Sequence, residues 1–548
     1  MTPASFGRGS PPIDMVHWAL VLAPAALLAP AAARDIVTFD LGWKHRTGLH
    51  TWAKHDDRPP TKPDPGDSPA ESKVIYDDTG WQAVQLPHDG LIASSMSLAA
   101  CPDGCSGRSY LPRHVLWYRK QFALPAAWKG SNIFLDFEGS FRETTIWVNG
   151  AKVAYHDCGY TPFRVRLDNV TNVKFGPPGG AGAANTNVIS IFVDPDNGDE
   201  GARDHGSGWW YEGGGLYRSA TLVRTDKLHI EQDGLFAYSN LTWSDSSLAA
   251  ISAPAAAASS SMSVVAGPSS AQLHTTAAVS NAGSTPSRIC VVLTISSPDG
   301  KAAAPPVSSE VQLLESGASA TVTFNVTVAS PKLWSAASPA LYTVAAAVHT
   351  APAAADELSS CADGPLTDTL AVPHGFRSLH YDADNGFFLN REHFKVRGFC
   401  DHNTFAVVGM AVPARINLFR AQASRAVGGN GRRTSHNPPA TSLLQMYDRV
   451  GIVVMDENRL FANTTKYVSN MGALVKRDRN HPSVVIWSFC NENGCEGTRE
   501  KGGPRFQEIT KEFDGTRPTL GNMFTFNDLL SHTIDVQACD LPIPLTVP

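Results

Sequence analysis

Polar and apolar residues alternate in short runs from about Phe39 to Thr225, as in Leu116-Trp117-Tyr118-Arg119-Lys120-Gln121-Phe122 and Thr144-Thr145-Ile146-Trp147-Val148. A period of two sends successive side chains to opposite faces of a strand, and Asn149-Gly150 after the second run is a strong hairpin signal. Many short strands separated by turns predict an all-β unit, and a two-sheet jelly roll is the natural way to bury them. The Pro-rich stretch 58–69 and the Gly/Ala stretch 176–184 read as surface insertions. Alternation returns between Lys227 and about Leu370, as in Val291-Val292-Leu293-Thr294-Ile295 and Thr321-Val322-Thr323-Phe324. That length predicts one immunoglobulin-like β-sandwich, interrupted by Ala/Ser-rich inserts at 246–261 and 351–355.

After Gly386-Phe387-Phe388-Leu389-Asn390 the rhythm changes. Strand-like Phe394 to Phe399 precedes a helical stretch from Pro413 to Val427, then a polar strand end at Arg433-Thr434-Ser435-His436. A helix over 440–450, a strand over 451–455, a helix over 465–479 and a strand over 484–490 follow. A further helix near 505–513 and strands near 519 and 534 complete the series. Strands alternating with helices predict a parallel sheet, which eight units would close into a (β/α)8 barrel. At most six strands are legible here.

The 548 residues exceed what one core holds, and 43% hydrophobic with 18% charged residues suits a folded chain. A net charge of −6 without a basic block argues against nucleic acid as a partner. Trp18 to Ala33 is apolar and rich in Ala and Leu, and Ala31-Ala32-Ala33 before Arg34 fits a small-residue cleavage site. The run reads as a signal peptide, with an Ala-rich tail as the other reading. It is too short to span a bilayer, and no other apolar stretch approaches that length, so no membrane partner is expected. Secretion, to an extracellular or vacuolar destination, is the expected localisation, and four Asn-X-Ser/Thr sequons (Asn169, Asn240, Asn325, Asn463) are compatible with it. Among nine cysteines, Cys101 and Cys105 bracket a Pro-Asp-Gly turn and could close a small loop. Cys490 and Cys495 flank residue 492. No Cys/His cluster has zinc spacing, so the cysteines read as structural or free thiols. The expected organisation is a signal peptide (1–33), a jelly roll (34–225), an immunoglobulin-like sandwich (226–378) and a TIM barrel of about six strands (379–548).

The chemistry gathers at strand ends. Val484-Val485-Ile486-Trp487-Ser488-Phe489-Cys490 suits a strand buried on both faces, and Asn491-Glu492 falls where it ends. That edge of a (β/α)8 barrel is where catalytic groups sit. A carboxyl group beside a tryptophan-bearing apolar strand is expected to stay protonated by burial and to serve as a proton donor. The other reading is an ordinary Asn-Glu pair opening a loop. Three more strand ends carry Asp401-His402, Arg433-Thr434-Ser435-His436-Asn437 and Asp456-Glu457-Asn458. Four successive polar ends predict a pocket for a polyhydroxylated ligand, whose hydroxyls each need a donor and an acceptor.

These residues resemble glycoside hydrolase family 2, which holds β-galactosidases, β-glucuronidases and β-mannosidases. Leu86-Pro87-His88-Asp89, Trp117-Tyr118-Arg119, Trp147-Val148-Asn149-Gly150, Gly159-Tyr160-Thr161-Pro162-Phe163 and Gly213-Gly214-Gly215-Leu216-Tyr217-Arg218 look like its sugar-binding jelly roll. Pro331-Lys332-Leu333-Trp334-Ser335 and Gly375-Phe376-Arg377 look like its immunoglobulin-like domain. Met455-Asp456-Glu457-Asn458-Arg459 and Arg477-Asp478-Arg479-Asn480-His481-Pro482 look most like the β-galactosidase branch. The resemblance implies a retaining hydrolase of terminal β-galactosides, with Glu492 as general acid/base and Asn491 beside the sugar 2-hydroxyl. It implies that Asp401, His402, Arg433, His436 and Glu457 line the sugar pocket. It requires no cofactor, although some β-galactosidases hold magnesium near the position of Glu457. The family's nucleophile, a glutamate at the seventh strand's end, has no counterpart here: Glu496 and Glu500 read as loop, Glu508 and Glu512 as helix. The alternatives are β-glucuronidase or β-mannosidase activity, or a non-catalytic carbohydrate-binding remnant; oligomerisation stays open.

Overall fold

The computed structural model describes residues 34–51, 66, 68–97, 110–112, 114–177, 185–195, 210–243, 267–351, 361–492, 502–523 and 534–539. The alternating runs pair antiparallel. Gln82–Val84, Trp43–Thr51, His114–Phe122, Asn187–Val193, Thr144–Val148 and Ala151–His156 form a six-stranded sheet in that order. A four-stranded sheet of Asp35–Thr38, Ala220–Thr225, Asn132–Phe137 and Phe163–Arg166 lies over it. Inward residues of both, including Leu116, Ile191, Leu135 and Leu222, share one core. Asn149 (φ +50°) and Gly150 (φ +86°) make the tight turn between Thr144–Val148 and Ala151–His156, the two left-handed residues such a hairpin requires.

A second sandwich follows. Leu228–Trp243, Pro268–Asn281 and Ser319–Ala329 form one sheet, and Ser287–Ser296, Tyr342–Thr350 and Leu366–His374 carry the other. Ser319–Ala329 alternates exposed and buried residues, with Val322, Phe324 and Val326 in the shared core. Cys290 and Cys361 are joined by a disulfide, whereas Cys158 and Cys400 are free thiols. Cys490 is also disulfide-bonded. The segment 1–33, the Cys101–Cys105 turn, the insert at 246–261 and most of the stretches 58–69, 176–184 and 351–355 lie outside the described residues.

The βα repeat folds into a six-stranded, wholly parallel sheet in sequence order: β1 (Gly398–Cys400), β2 (Gly431–Arg433), β3 (Val453–Glu457), β4 (Val484–Asn491), β5 (Thr519–Met523) and β6 (Val536–Cys539). Helices α1 (Ala414–Ala426), α2 (Thr441–Val450), α3 (Thr465–Asp478) and α4 (Gly503–Phe513) alternate with β1–β5. Local signals set their limits. Thr464 caps α3 by accepting the Tyr467 amide, and Gly451 ends α2 at φ +73°. Residues 484–490 of β4 are all buried, and Trp487 and Phe489 pack with Leu474, Val475 and Phe506 from α3 and α4. β1 is shorter than the apolar run suggested. The chain from Leu379 to His393 instead forms a small three-stranded antiparallel sheet, and Phe394 packs with Phe387.

Both sandwiches brace the parallel sheet. The Arg218 guanidinium donates to Pro438 O (2.6 Å) and Tyr160 O (2.9 Å), and the Trp334 indole donates to Asp448 O (2.8 Å). The Asn480 side chain donates to Leu235 O (2.8 Å) and accepts from the Ala237 amide (3.1 Å).

Candidate active site

In a parallel sheet all strands end on the same side. Cys400 pairs with Arg433, Arg433 with Met455, and Glu457 with Ser488, so the four polar strand ends line up along one edge. Glu457 is their centre and is fully buried. Arg433 Nε donates to its Oε2 (2.9 Å) and Arg433 Nη2 to its Oε1 (3.2 Å), the two-pronged geometry that makes an arginine–carboxylate pair rigid. His436 Nδ1 lies 2.7 Å from Oε1, and Ser488 Oγ donates to Oε2 at 2.8 Å. Thr434 Oγ1 accepts the Glu457 amide at 2.8 Å and donates to Asp456 Oδ1 at 3.2 Å. Arg433 Nη2 also donates to Asn491 Oδ1. Arg433, His436, Glu457 and Asn491 thus form one bonded network, with Arg433 and His436 keeping 13% and 18% of their side-chain surface open.

His402 joins the network through rings. Its imidazole lies 5.6 Å from that of His436 and stacks on Trp210 at 4.6 Å and 16°. Burial, and then the neighbouring His436, push His402 below the ordinary histidine value, so it stays neutral and can both donate and accept. Asp401 turns away from this group, ion-paired with Arg420 of α1, which also donates to His402 O (2.7 Å). Asp401 therefore anchors the strand end.

Two expectations are corrected here. Glu492 is exposed. The chain leaves the sheet after Asn491, and Glu492 adopts φ +50°, which carries its carboxyl group out of the layer that buries residues 484–490. Trp487 is no wall for it either: its indole donates to Asp514 Oδ2 (3.0 Å) within the core between sheet and helices. The tryptophan at the site is Trp210, supplied by the segment between the last two strands of the first sandwich. Arg459 covers the indole at 4.6 Å and approaches Glu212 at 3.6 Å. A signal for it existed in the aromatic run just before Gly213-Gly214-Gly215, a motif singled out only from its first glycine.

The donor set does not fit magnesium at Glu457. A hard cation needs several free oxygen ligands, but a guanidinium, an imidazole and a hydroxyl already occupy both carboxylate oxygens. No group of three or more His, Cys, Asp or Glu among the described residues could hold a metal. What the edge offers instead is neutral and cationic hydrogen-bonding groups around one buried carboxylate.

The model of the family "Glycosyl hydrolases family 2, TIM barrel domain" matches residues 383–541, and that of "Glycosyl hydrolases family 2" matches residues 261–360. A β-galactosidase, BoGH2A, of Bacteroides ovatus is 28% identical over 439 residues, covering 78% of this chain and 45% of the relative. A β-glucuronidase of Formosa agariphila is 26% identical over 457 residues, covering 80% of this chain and 42% of the relative. The chain thus spans less than half the length of these two relatives. A glycosyl hydrolase family 2 member from Bacteroides cellulosilyticus superimposes with a TM-score of 0.72 at 25% identity, over 92% of this chain and 58% of that one. On the two family models, these relatives and the shared fold, the chain belongs to glycoside hydrolase family 2.

Proposed function

We propose that the chain is the sugar-binding and acid/base part of a retaining β-glycosidase acting on terminal β-galactosides. In this reading the first sandwich is the family's sugar-binding jelly roll, the second its immunoglobulin-like domain, and the parallel sheet six strands of its barrel. The carrying observation is the Arg433–His436–Glu457–Asn491 network at one sheet edge, with His402 beside it. Asn491 and His402 present neutral donors and acceptors to sugar hydroxyls, and His436 adds its ring edge beside them. Arg433 is neutralised by Glu457, so the edge carries little net charge and suits an uncharged hexose. Glu492, one residue past Asn491, protonates the leaving oxygen. Being exposed, it relies on the bound sugar to displace water from it. A second carboxylate attacks the anomeric carbon, and water then releases the covalent glycosyl-enzyme. Glu457 is held on both oxygens, and Glu508 and Glu512 lie exposed on α4, so none of these three is placed for that attack.

The glucuronidases among the relatives favour a second reading, in which the sugar bears a carboxylate. It needs a free cation at the edge, and Arg433 is already paired. Turnover of 4-nitrophenyl β-galactoside, β-glucuronide and β-mannoside by the purified chain separates the readings. Galactoside alone supports the first, and glucuronide alone supports the second. Saturable galactose binding without turnover would leave a carbohydrate-binding protein. Secretion is part of the proposal: the four sequon asparagines are all exposed, and the Cys290–Cys361 disulfide suits an oxidising compartment.

A further inference from the structure

The proposed sugar site has a wall that no strand of the parallel sheet supplies, because Trp210 reaches it from the first sandwich. Something must hold the segment 210–215 against the loop that begins at His402. Asp89, in the Leu86-Pro87-His88-Asp89 motif, touches both. It is 4% exposed. Its Oδ1 accepts from Tyr211 Oη (2.8 Å), next to Trp210, and from its own turn through the Leu91 (3.0 Å) and Ile92 (3.3 Å) amides. Its Oδ2 accepts from the Met410 amide (3.0 Å), at the far end of the His402 loop.

Two glycines show how closely both segments close on this carboxylate. A Cβ on Gly213 would lie 2.7 Å from Asp89 Oδ2, and one on Gly409 would lie 2.3 Å from it. Both glycines also have left-handed backbones, at φ +68° and +61°. Backbone bonds from His88 N to Leu216 O (2.8 Å) and Gly90 N to Gly214 O (2.8 Å) fix the motif itself to the 210–216 segment. Among the described residues the His402 loop has no such ladder to the first sandwich: Asp89 Oδ2 holds it there by a hydrogen bond, beside the packing of Met410 with Phe141, Tyr160 and Tyr217.

We propose that Asp89 is a positioning residue of the sugar site: its two oxygens lock the Trp210 segment onto the His402 loop, so that indole and imidazole form one stacked wall. This rests on the sugar-site reading for its purpose, but the lock itself is independent of it. Asp89→Asn is the informative change. The amide has one acceptor where the carboxylate has two, and its NH2 cannot accept from the Met410 amide or the Tyr211 hydroxyl.

The test follows the His402 ring proton by NMR in the full chain, assigned through its loss in His402→Gln. Stacking on an indole shifts that proton upfield. In Asp89→Asn it should move towards the value of an unstacked histidine, and in Tyr211→Phe, which deletes one hydroxyl, it should move the same way by less. Asp136→Asn, which weakens an ion pair with Arg164 in the same sandwich, should leave it in place. A resonance unmoved in Asp89→Asn overturns the proposal. Should Asp89→Asn not fold, Tyr211→Phe decides by the same criterion. If the wild-type chain turns over glycosides, Asp89→Asn should raise KM by about tenfold with a smaller change in kcat, as expected for a misplaced binding wall. If it turns over none, the enzyme reading fails while the resonance still decides the role of Asp89.

Discussion

The two edges of the parallel sheet use the same residue types to opposite ends. At the edge where the strands begin, Arg517 is 5% exposed and donates to Val484 O (2.7 Å), Arg479 O (2.8 Å), His481 O (3.0 Å) and the Asp514 carboxylate. Asp514 also accepts from the Trp487 indole and from Thr516. Asp448 takes His481 Nδ1 (2.5 Å) and the Ser483 amide (3.0 Å). Most of these bonds tie loops to backbone. At the edge where the strands end, Arg433, His436 and Ser488 converge on Glu457, and the bonds run between side chains, of which Arg433 and His436 stay partly open. An arginine–carboxylate pair is therefore no mark of function by itself. What separates the edges is whether the pair closes on the backbone or leaves donors facing a ligand.

The largest expected effect falls on the closed edge. Asp514→Ala strands a buried guanidinium and an indole N–H, and should cost about 3–5 kcal/mol of stability. Urea unfolding measures it, and a loss under 1 kcal/mol would mean that this edge is no clamp. Next comes Glu457→Gln, which removes the charge that orients Arg433 and an acceptor for His436. Loss of charged hydrogen bonds of about 2–3 kcal/mol predicts galactose binding weaker by roughly 30- to 150-fold in calorimetry. If stability falls further than in Asp514→Ala while binding survives, the two edges have been assigned the wrong way round. Ser488→Ala deletes one donor to Glu457 and should weaken binding by about 1 kcal/mol.

The smallest effect is a pH dependence belonging to the closed edge. Burial opposes the charge on His481, but Asp448 outweighs it and holds the imidazole above its ordinary value of 6.5. A histidine raised in the folded state adds stability in full below pH 6.5 and loses it as pH rises through the folded value. Melting followed from pH 6 upward should show that decline in the wild type and a flatter curve in His481→Asn. Equal slopes would contradict the pairing.

Much of the architecture was legible because its signals are local. The largely apolar run 484–490 suited a strand covered on both faces, and β4 is one. The helix limits read at 440–450 and 465–479 fall within a residue or two of α2 and α3, whose ends the structure fixes with Gly451 and Thr464. The small sheet over 379–393 was not read, because its last turn uses Asn390 (φ +56°) and Arg391 (φ +66°) with no glycine to announce it. Strand alignment explains why Arg433, His436, Glu457 and Asn491 could be grouped from sequence: parallel strands in order put their ends side by side. Trp210 and Asp89 escaped because they reach the edge from loops of the first sandwich, by contacts between residues 192 and 321 positions apart (Trp210 to His402, Asp89 to Met410). The exposure of Glu492 escaped for a different reason: one left-handed residue past a buried strand reverses what the strand's own pattern implies.

The most direct test compares wild type with Glu492→Gln on aryl β-galactosides whose leaving groups span a wide range of basicity. If Glu492 delivers the proton, the variant should hydrolyse the most acidic phenols almost normally and fall further behind with each more basic one. A constant ratio across the series, or a wild-type chain that cleaves none of them, would contradict the account.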